Sequence, residues 1–306
     1  MAAYVVRRLL QMIPVIIGST FLIFVMVFAL GDPVAGRCGE RPCPPAYIAK
    51  FRLDNHLDQP ILVQYALYVG RLLQGDLGTT FAGTSVGAEL LARWPTTLKL
   101  ALIAVVFESV VGIAAGIMAG INRGRFLDNL VTISSLLVIS IPVFVIGGLS
   151  QLLFGLRLGL FPVTSTQGTW GQLILPGLVL GALSLAYIAR LMRATLTENL
   201  GSDYVRTARA KGLTRSRIVG VHTLRNSLIP VITFIGYDIG GLMGGAIVTE
   251  RIFNVNGIGG FLYRGINLKD GSIVVGTITC LVLVYLLVNL LVDVLYGVLD
   301  PRISND

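Results

Sequence analysis

The chain has 306 residues, 54% of them hydrophobic and only 13% charged, and its mean hydropathy of +0.80 excludes a water-exposed surface in favour of a polytopic membrane protein. The formal charge is +8, but eight of the 24 Lys and Arg fall between Arg190 and Arg225 against only Glu198 and Asp203, so one short stretch carries most of the excess and a nucleic-acid partner is not expected. Three cysteines and two histidines are too few for a zinc cluster or a disulfide-built scaffold, which leaves metal and redox chemistry out. Apolar stretches of roughly 20 residues, the length needed to cross about 30 Å of hydrocarbon, predict six spans at 9 to 30, 97 to 121, 130 to 155, 173 to 192, 226 to 248 and 272 to 296. Arg7 and Arg8 before the first run, with Ala29-Leu30-Gly31 after it, imitate a signal peptide. The run is too long for a typical signal core, so 9 to 30 is read as a retained anchor following a short tail, 1 to 8.

The long loop from 31 to 95 holds six basic and six acidic residues that cancel. Cys38 and Cys43 bound a Cys-Gly-Glu-Arg-Pro-Cys segment that could close as a disulfide in an oxidising compartment. Ile61, Tyr65, Tyr68, Val69, Leu72 and Leu73 share one helical face, which predicts a short amphipathic helix against the membrane or the bundle. Gly83-Thr84-Ser85-Val86-Gly87 matches the G-x-S-x-G pattern of serine hydrolases, but a reactive serine there needs a strand-to-helix elbow and a nearby histidine. No such strand is visible, and the segment reads as a small-residue turn.

Within the spans, Pro14, Pro142, Pro176 and Pro230 lie in or near the starts and can kink helices whose freed backbone groups neighbours then satisfy. Gly112, Gly116 and Gly120 in the second span and Gly236, Gly240 and Gly244 in the fifth form small-residue ridges suited to close helix contacts, within the bundle or with another subunit. Cys280 in the sixth span reads as packing. Glu108, Asp238 and Asp293 stand at bilayer depth, where a charge costs a few kcal/mol unless it meets a polar cavity or a partner. Glu108 and Asp238 are candidates for lining a passage or for pairing across helices, whereas Asp293 is close enough to the inner end to favour local pairing or solvation. Tyr237-Asp238 is similar to the pair of intramembrane aspartyl proteases, but the second Asp those enzymes need in a Gly-x-Gly-Asp setting is missing.

Placing both termini inside puts thirteen Lys and Arg on the inner side, including Arg123, Arg125 and the eight above, which sets the orientation. Between the fourth and fifth spans, Asp203-Tyr204-Val205-Arg206-Thr207-Ala208-Arg209-Ala210-Lys211 has an acidic start, a basic end and Gly212 in the position of a C′ residue, so a short helix is expected to stop there. Thr214 is positioned to cap a second helix running through Arg217 and Val219 to Arg225 and into the fifth span. So short a first helix does not hold by itself in water and must dock on something; its alanines and Gly212 offer a low ridge flanked by arginines.

Arg206-Thr207-Ala208 followed by Gly212 resembles the Glu-Ala-Ala…Gly loop of the inner-membrane permeases of binding-protein-dependent ABC importers, in the Arg-Thr-Ala form of their dipeptide and oligopeptide branch. His222-Thr223-Leu224-Arg225-Asn226-Ser227-Leu228-Ile229-Pro230, Leu57-Asp58-Gln59-Pro60, Gly75-Asp76-Leu77-Gly78, Ser140-Ile141-Pro142-Val143-Phe144, Phe161-Pro162-Val163 and Leu299-Asp300-Pro301-Arg302 are similar to the same branch, as are Glu250, Phe253, Gly257 and Gly259. The departures from the general motif are Arg206 for Glu, and His222 and Arg225 for Ile and Pro.

The resemblance implies an all-α membrane protein with the type I ABC importer transmembrane fold, in which 96 to 300 forms a five-helix core, 194 to 225 a cytosolic coupling loop and 301 to 306 a cytosolic tail. It implies as partners a second homologous permease, two ATP-binding domains that hold ATP and Mg, an extracytoplasmic solute-binding protein and a peptide substrate, in the lipid bilayer of the cytoplasmic membrane. The chain contains no G-x-x-x-x-G-K-[ST], so it is read as a conduit without its own ATPase site or bound cofactor. The same machinery serving a nickel chelate, haem or glutathione is the nearest alternative. A stand-alone secondary transporter would need its own coupling-ion site and usually an internal repeat, and neither is apparent.

Overall fold

The structure, a computed structural model, describes residues 2–28, 44–54 and 56–299. Cys38 and Cys43, Ala29-Leu30-Gly31 and the Asp300-Pro301-Arg302 terminus therefore lie outside the described residues. In chain order the helices are α1 (Ala2–Phe28), α2 (Pro45–Asp54), α3 (Ile61–Leu73), α4 (Val86–Ile121), α5 (Phe126–Ser140) and α6 (Val143–Ser150), the last passing into a π-helical turn at Gln151–Arg157. Then come α7 (Trp170–Leu200), α8 (Asp203–Ala210), α9 (Arg215–Arg217), a π-helical segment Ile218–Thr223, α10 (Leu224–Ile252), α11 (Ile258–Leu268) and α12 (Gly271–Leu299). The fold is all-α, and among the described residues five helices are long and apolar enough to cross a membrane, or six if the bent pair α5 and α6 counts as one span.

That pair corrects the expected continuous span from 130 to 155: the axis turns by 103° between Ser140 and Val143. The cause is local. A residue before proline is pushed out of the helical region, and Ile141 is extended at φ −99°, ψ 128° before Pro142, which caps α6 at φ −58°, ψ 141°. Pro142 is thus a break between helices, whereas Pro14, Pro176 and Pro230 sit inside α1, α7 and α10. The second span also starts earlier than hydropathy shows, at Val86 rather than 97. Its added turns bury Val86 and Leu90 and carry Arg93 on the same face, over the Phe261 ring and paired with Glu89, so charged residues interrupt the apolar run there.

The chain divides into two compact units, 1–97 with 255–306, and 98–254. In the first, α1 packs along α12, and α3 lies over both through a core of Phe24, Tyr68 and Val275 joined by Ile61, Tyr65, Val69 and Leu72. Leu73 does not join them: one position past Leu72, it is turned about 100° off the stripe and is 84% exposed. Thr20 Oγ1 meets Tyr65 Oη and Tyr68 Oη meets Thr279 Oγ1, each at 2.8 Å. Arg8 Nε donates to Asp293 at 2.6 Å, the local pairing its position favoured. Cys280 packs with Trp94 against a second core of Val86, Leu90, Ile258, Phe261 and Ile273. The G-x-S-x-G run is a turn: a single bridge pairs Thr79 with Ser85, the Val86 N–H donates to the Gly78 carbonyl at 3.0 Å, and α4 begins.

In the second unit α7 is the central helix, contacting α5, α6 and α10. The ridge of Gly112, Gly116 and Gly120 on α4 lies against Ile188, Met192 and Leu196 of α7. A Cβ on Gly116 would come within 2.5 Å of Met192 Cβ and 2.6 Å of the Ala189 carbonyl oxygen, so the two backbones approach at a distance that only glycine permits. Gly177 and Gly181 repay the contact from the α7 side, against Ile103 and Ala104. The α4 ridge is therefore an interface within the chain. On α10, by contrast, Gly244 faces open space.

Candidate functional site

The basic loop after α7 folds into a small body of its own. Ser202 is extended at the N-cap of α8, and the helix ends at Lys211. Beyond it, Gly212 adopts φ +75°, donating to the Arg209 carbonyl at 2.9 Å, while the Leu213 N–H reaches the Ala208 carbonyl at 3.2 Å. These two bonds are the Schellman closure of a helix, and they need a left-handed residue at Gly212. No neighbouring atom lies within 4 Å of where a Cβ would stand, so the demand on Gly212 is conformational rather than steric.

The docking that so short a helix requires is supplied by the loop itself. Val205 and Ala208 are buried against Ile218, with Leu213 beside them. Ala208 therefore faces inward and is not part of an outward ridge, which corrects that expectation for one of the alanines. Asp203, Tyr204, Arg206, Thr207, Arg209, Ala210, Lys211 and Gly212 remain exposed. Arg206 and Asp203 form a loose pair at 3.5 Å with side chains 77% and 95% exposed, so solvent screens it and both charges stay available.

Thr214 stands at the N-cap of α9 but makes no side-chain capping bond. From Arg215 the backbone is helical through α9, the π-helical segment and α10. Inside the π-helical segment Thr223 Oγ1 donates to the Ile218 carbonyl at 3.0 Å, five residues back, which matches the wider turn.

Polar side chains lace this path to α7. Tyr204 Oη donates to Asn199 Oδ1 at 3.0 Å; Asn199 Nδ2 donates to Ser227 Oγ at 3.1 Å; and Thr195 Oγ1 donates to the Ser227 carbonyl at 3.1 Å. Ser227 is fully buried and Ser202 Oγ donates to the Asn199 carbonyl at 2.6 Å. Asn199 and Thr195 did not stand out in the sequence, and Ser227 did so only within the His222-to-Pro230 stretch, because small polar residues at helix ends are common. Their only signal was the return of Ser and Thr to helices otherwise built of apolar residues.

Arg193, counted in the sequence only as part of the basic excess, holds α5 to α7. Its Nε and Nη2 both bond the Asp128 carboxylate, the second at 2.8 Å, and the Gly124 N–H donates to the same carboxylate at 2.8 Å. Asp128 is buried.

The two intramembrane carboxyls come together. Glu108 of α4 is fully buried and lies beside Asp238 of α10, which keeps partial exposure. Neither Glu108 oxygen has a hydrogen-bond partner of standard geometry, nor has Asp238 Oδ2. Glu108 thus reaches no open surface of its unit, whereas Asp238 does in part. Among the described residues no group of three or more His, Cys, Asp or Glu is arranged to hold a metal.

Comparison with known proteins bears on this arrangement. Residues 112–305 match the family described as binding-protein-dependent transport system inner membrane component, and residues 1–101 match the family of the N-terminal part of such components. A dipeptide transport system permease protein, DppB, of Escherichia coli strain K12 is 37% identical over 100% of this chain and 99% of its own length. A di/tripeptide transport system permease of Pseudomonas aeruginosa is 40% identical with the same coverage. A glutathione transport system permease, GsiC, of Salmonella typhimurium is 37% identical over 99% of each chain.

Proposed function

Because the chain belongs to the binding-protein-dependent transport system inner membrane component family, we propose that it is the permease subunit through which an ATP-driven importer passes di- and oligopeptides across the cytoplasmic membrane. Both termini lie in the cytosol in this reading, since that orientation collects the basic residues inside. Separate ATP-binding subunits receive the exposed face of α8, a second permease completes the translocation unit, and a solute-binding protein delivers cargo from outside. The chain contributes no chemistry of its own.

The observation that carries the reading is the build of the α8 loop. It is a preorganised, cationic body whose apolar face is already satisfied by Ile218, leaving the other face free for a partner. Displacement of α8 has two rigid routes into the membrane: the continuous helical path from Arg215 into α10, and the Tyr204–Asn199–Ser227 bonds that join α8, α7 and α10. Closure of the ATP-binding subunits would move α8, and both routes would carry that movement to α7 and α10 together. ATP binding then opens the permease outward, and hydrolysis resets it inward.

Peptide cargo is supported by the dipeptide and di/tripeptide permeases that match over the full chain. Glutathione import is the second reading, supported by the glutathione permeases that match almost as well. The test is reconstitution of the purified complex in liposomes with ATP supplied on the α8 side. Accumulation of labelled dipeptide that needs ATP, the ATP-binding subunits and the solute-binding protein is the expected result. Accumulation that persists without any ATP-binding subunit overturns the importer reading, and competition by glutathione but not by dipeptides overturns the cargo.

A further inference from the structure

Under the α8 loop lies a cavity of about 410 Å3 that the coupling role does not use. Its walls are apolar, formed by Ile121 at the last turn of α4, Leu200 at the last turn of α7, and Leu213 and Ile218 of the loop. Val219, Arg209 and Arg215 complete the lining. Both guanidiniums are exposed, and among the described residues no carboxylate pairs with either. The two basic residues therefore stand over a greasy hollow, each with its donors unspent.

The level of the hollow in the membrane follows from helix length. From Trp170 to Leu200, α7 is 31 residues long, about 46 Å at about 1.5 Å per residue, which matches the roughly 40 to 45 Å of a bilayer with its headgroups. With an indole at one end, where aromatic side chains favour the interface, Leu200 comes to the headgroup level at the other. Basic pockets at the cytoplasmic ends of spans suit anionic headgroups, because a phosphate takes charge-assisted bonds from guanidinium while the acyl chains stay in apolar surroundings.

We propose that this cavity binds one anionic phospholipid of the inner leaflet, its phosphate between Arg209 and Arg215 and the start of its acyl chain against Ile121, Leu200, Leu213 and Ile218. The proposal rests on the cytosolic placement of α8 in the importer reading. A protein partner could meet the arginines but would have no reason to fill a hollow opening along the ends of two spans. The lipid would set the loop against the membrane and stiffen the base on which α8 stands.

The test uses the intact complex, purified and placed in nanodiscs of phosphatidylcholine with or without one-quarter phosphatidylglycerol. Hydrogen exchange of the segment from 209 to 219 is expected to slow at least threefold with phosphatidylglycerol and to be unchanged by millimolar inorganic phosphate. Native mass spectrometry should find one anionic lipid fewer on the Arg209→Ala/Arg215→Ala complex than on the wild type or on Arg217→Ala, whose arginine is outside the cavity. Equal exchange in both nanodiscs overturns the proposal, as does equal slowing by phosphate alone, which would make the site a simple anion site. A double variant that sheds its ATP-binding subunits while keeping its lipid also overturns it, by assigning the two arginines to the protein interface. If the double variant fails to assemble, the wild-type exchange comparison still decides. These readouts need no transport, so absent ATP-dependent uptake would count against the importer reading, whereas unchanged exchange and lipid count would count against the lipid site.

Discussion

Asn199 and Ser227 meet across α7 and α10, with the amide Nδ2 donating to the serine Oγ at 3.1 Å and the hydroxyl donating back to the Thr223 and Thr195 carbonyls at 2.8 and 3.3 Å. Ser227 is fully buried, and the Asn199 amide it accepts from is part-buried. Ser227→Ala is expected to lower stability by about 1 kcal/mol, the net worth of a hydrogen bond lost by a part-buried donor. Thermal unfolding of the purified complex reads this directly. If the bond also transmits movement from α8, the variant imports less peptide per ATP hydrolysed; unchanged stability and unchanged coupling together would show the contact to be idle.

Gly212 separates backbone strain from contact. At φ +75° a β-branched side chain pays roughly 1 to 2 kcal/mol, and asparagine much less. Since nothing surrounds the Cβ position in this chain, Gly212→Asn should retain most peptide uptake. Gly212→Val should lose it at equal membrane expression, because the Leu213–Ala208 closure of α8 opens. Normal uptake by the valine variant would mean that the end of α8 does not matter to coupling.

The Asp128–Arg193 pair predicts an asymmetry. Asp128 has a side chain 3% exposed and Arg193 one 32% exposed. Arg193→Met strands a buried carboxylate with only the Gly124 N–H and should cost about 3 kcal/mol, whereas Asp128→Asn leaves an arginine that can turn to water and should cost about 1 kcal/mol. The double variant should be more stable than Arg193→Met alone. Unfolding midpoints for the three variants check the order, and equal losses for the two single changes would contradict it.

The sequence carried the spans because hydropathy integrates over about 20 residues and tolerates local error. It carried the end of α8 because Gly212 follows a run of good helix formers with a basic close. It carried Pro142 as a kink but not the size of the turn there, since apolar content says nothing of chain direction; the further clue was that Ile141 precedes the proline in mid-span. Nor did it show that Ala208 turns inward, because the decisive partner, Ile218, lies beyond the turn. Asp128 and Arg193 are 65 residues apart, a separation at which no local pattern reports a pairing. The glycine ridges were legible as close-contact surfaces, but which one is spent inside the chain depended on finding Met192 and Ala189 opposite Gly116.

Glu108 and Asp238 give a prediction in which stability and transport separate. Two carboxyls stand side by side at bilayer depth, and neither Glu108 oxygen has a hydrogen-bond partner of standard geometry. Glu108→Gln keeps the side-chain shape and supplies a permanent amide donor to the Asp238 carboxylate, so the variant is expected to be as stable as the wild type or up to about 1 kcal/mol more stable. Asp238→Asn should have a similar effect, and the double variant should gain little beyond either, since one amide already supplies the missing donor. Transport should part the two positions. Asp238 keeps partial exposure, and in the reading that it lines the passage its change to Asn lowers peptide uptake, whereas the fully buried Glu108 has no surface to offer a substrate. Uptake lost in Glu108→Gln with stability kept or raised would show that the buried carboxyl takes part in translocation; uptake unchanged in Asp238→Asn would remove Asp238 from the path and leave the pair as a structural contact between α4 and α10.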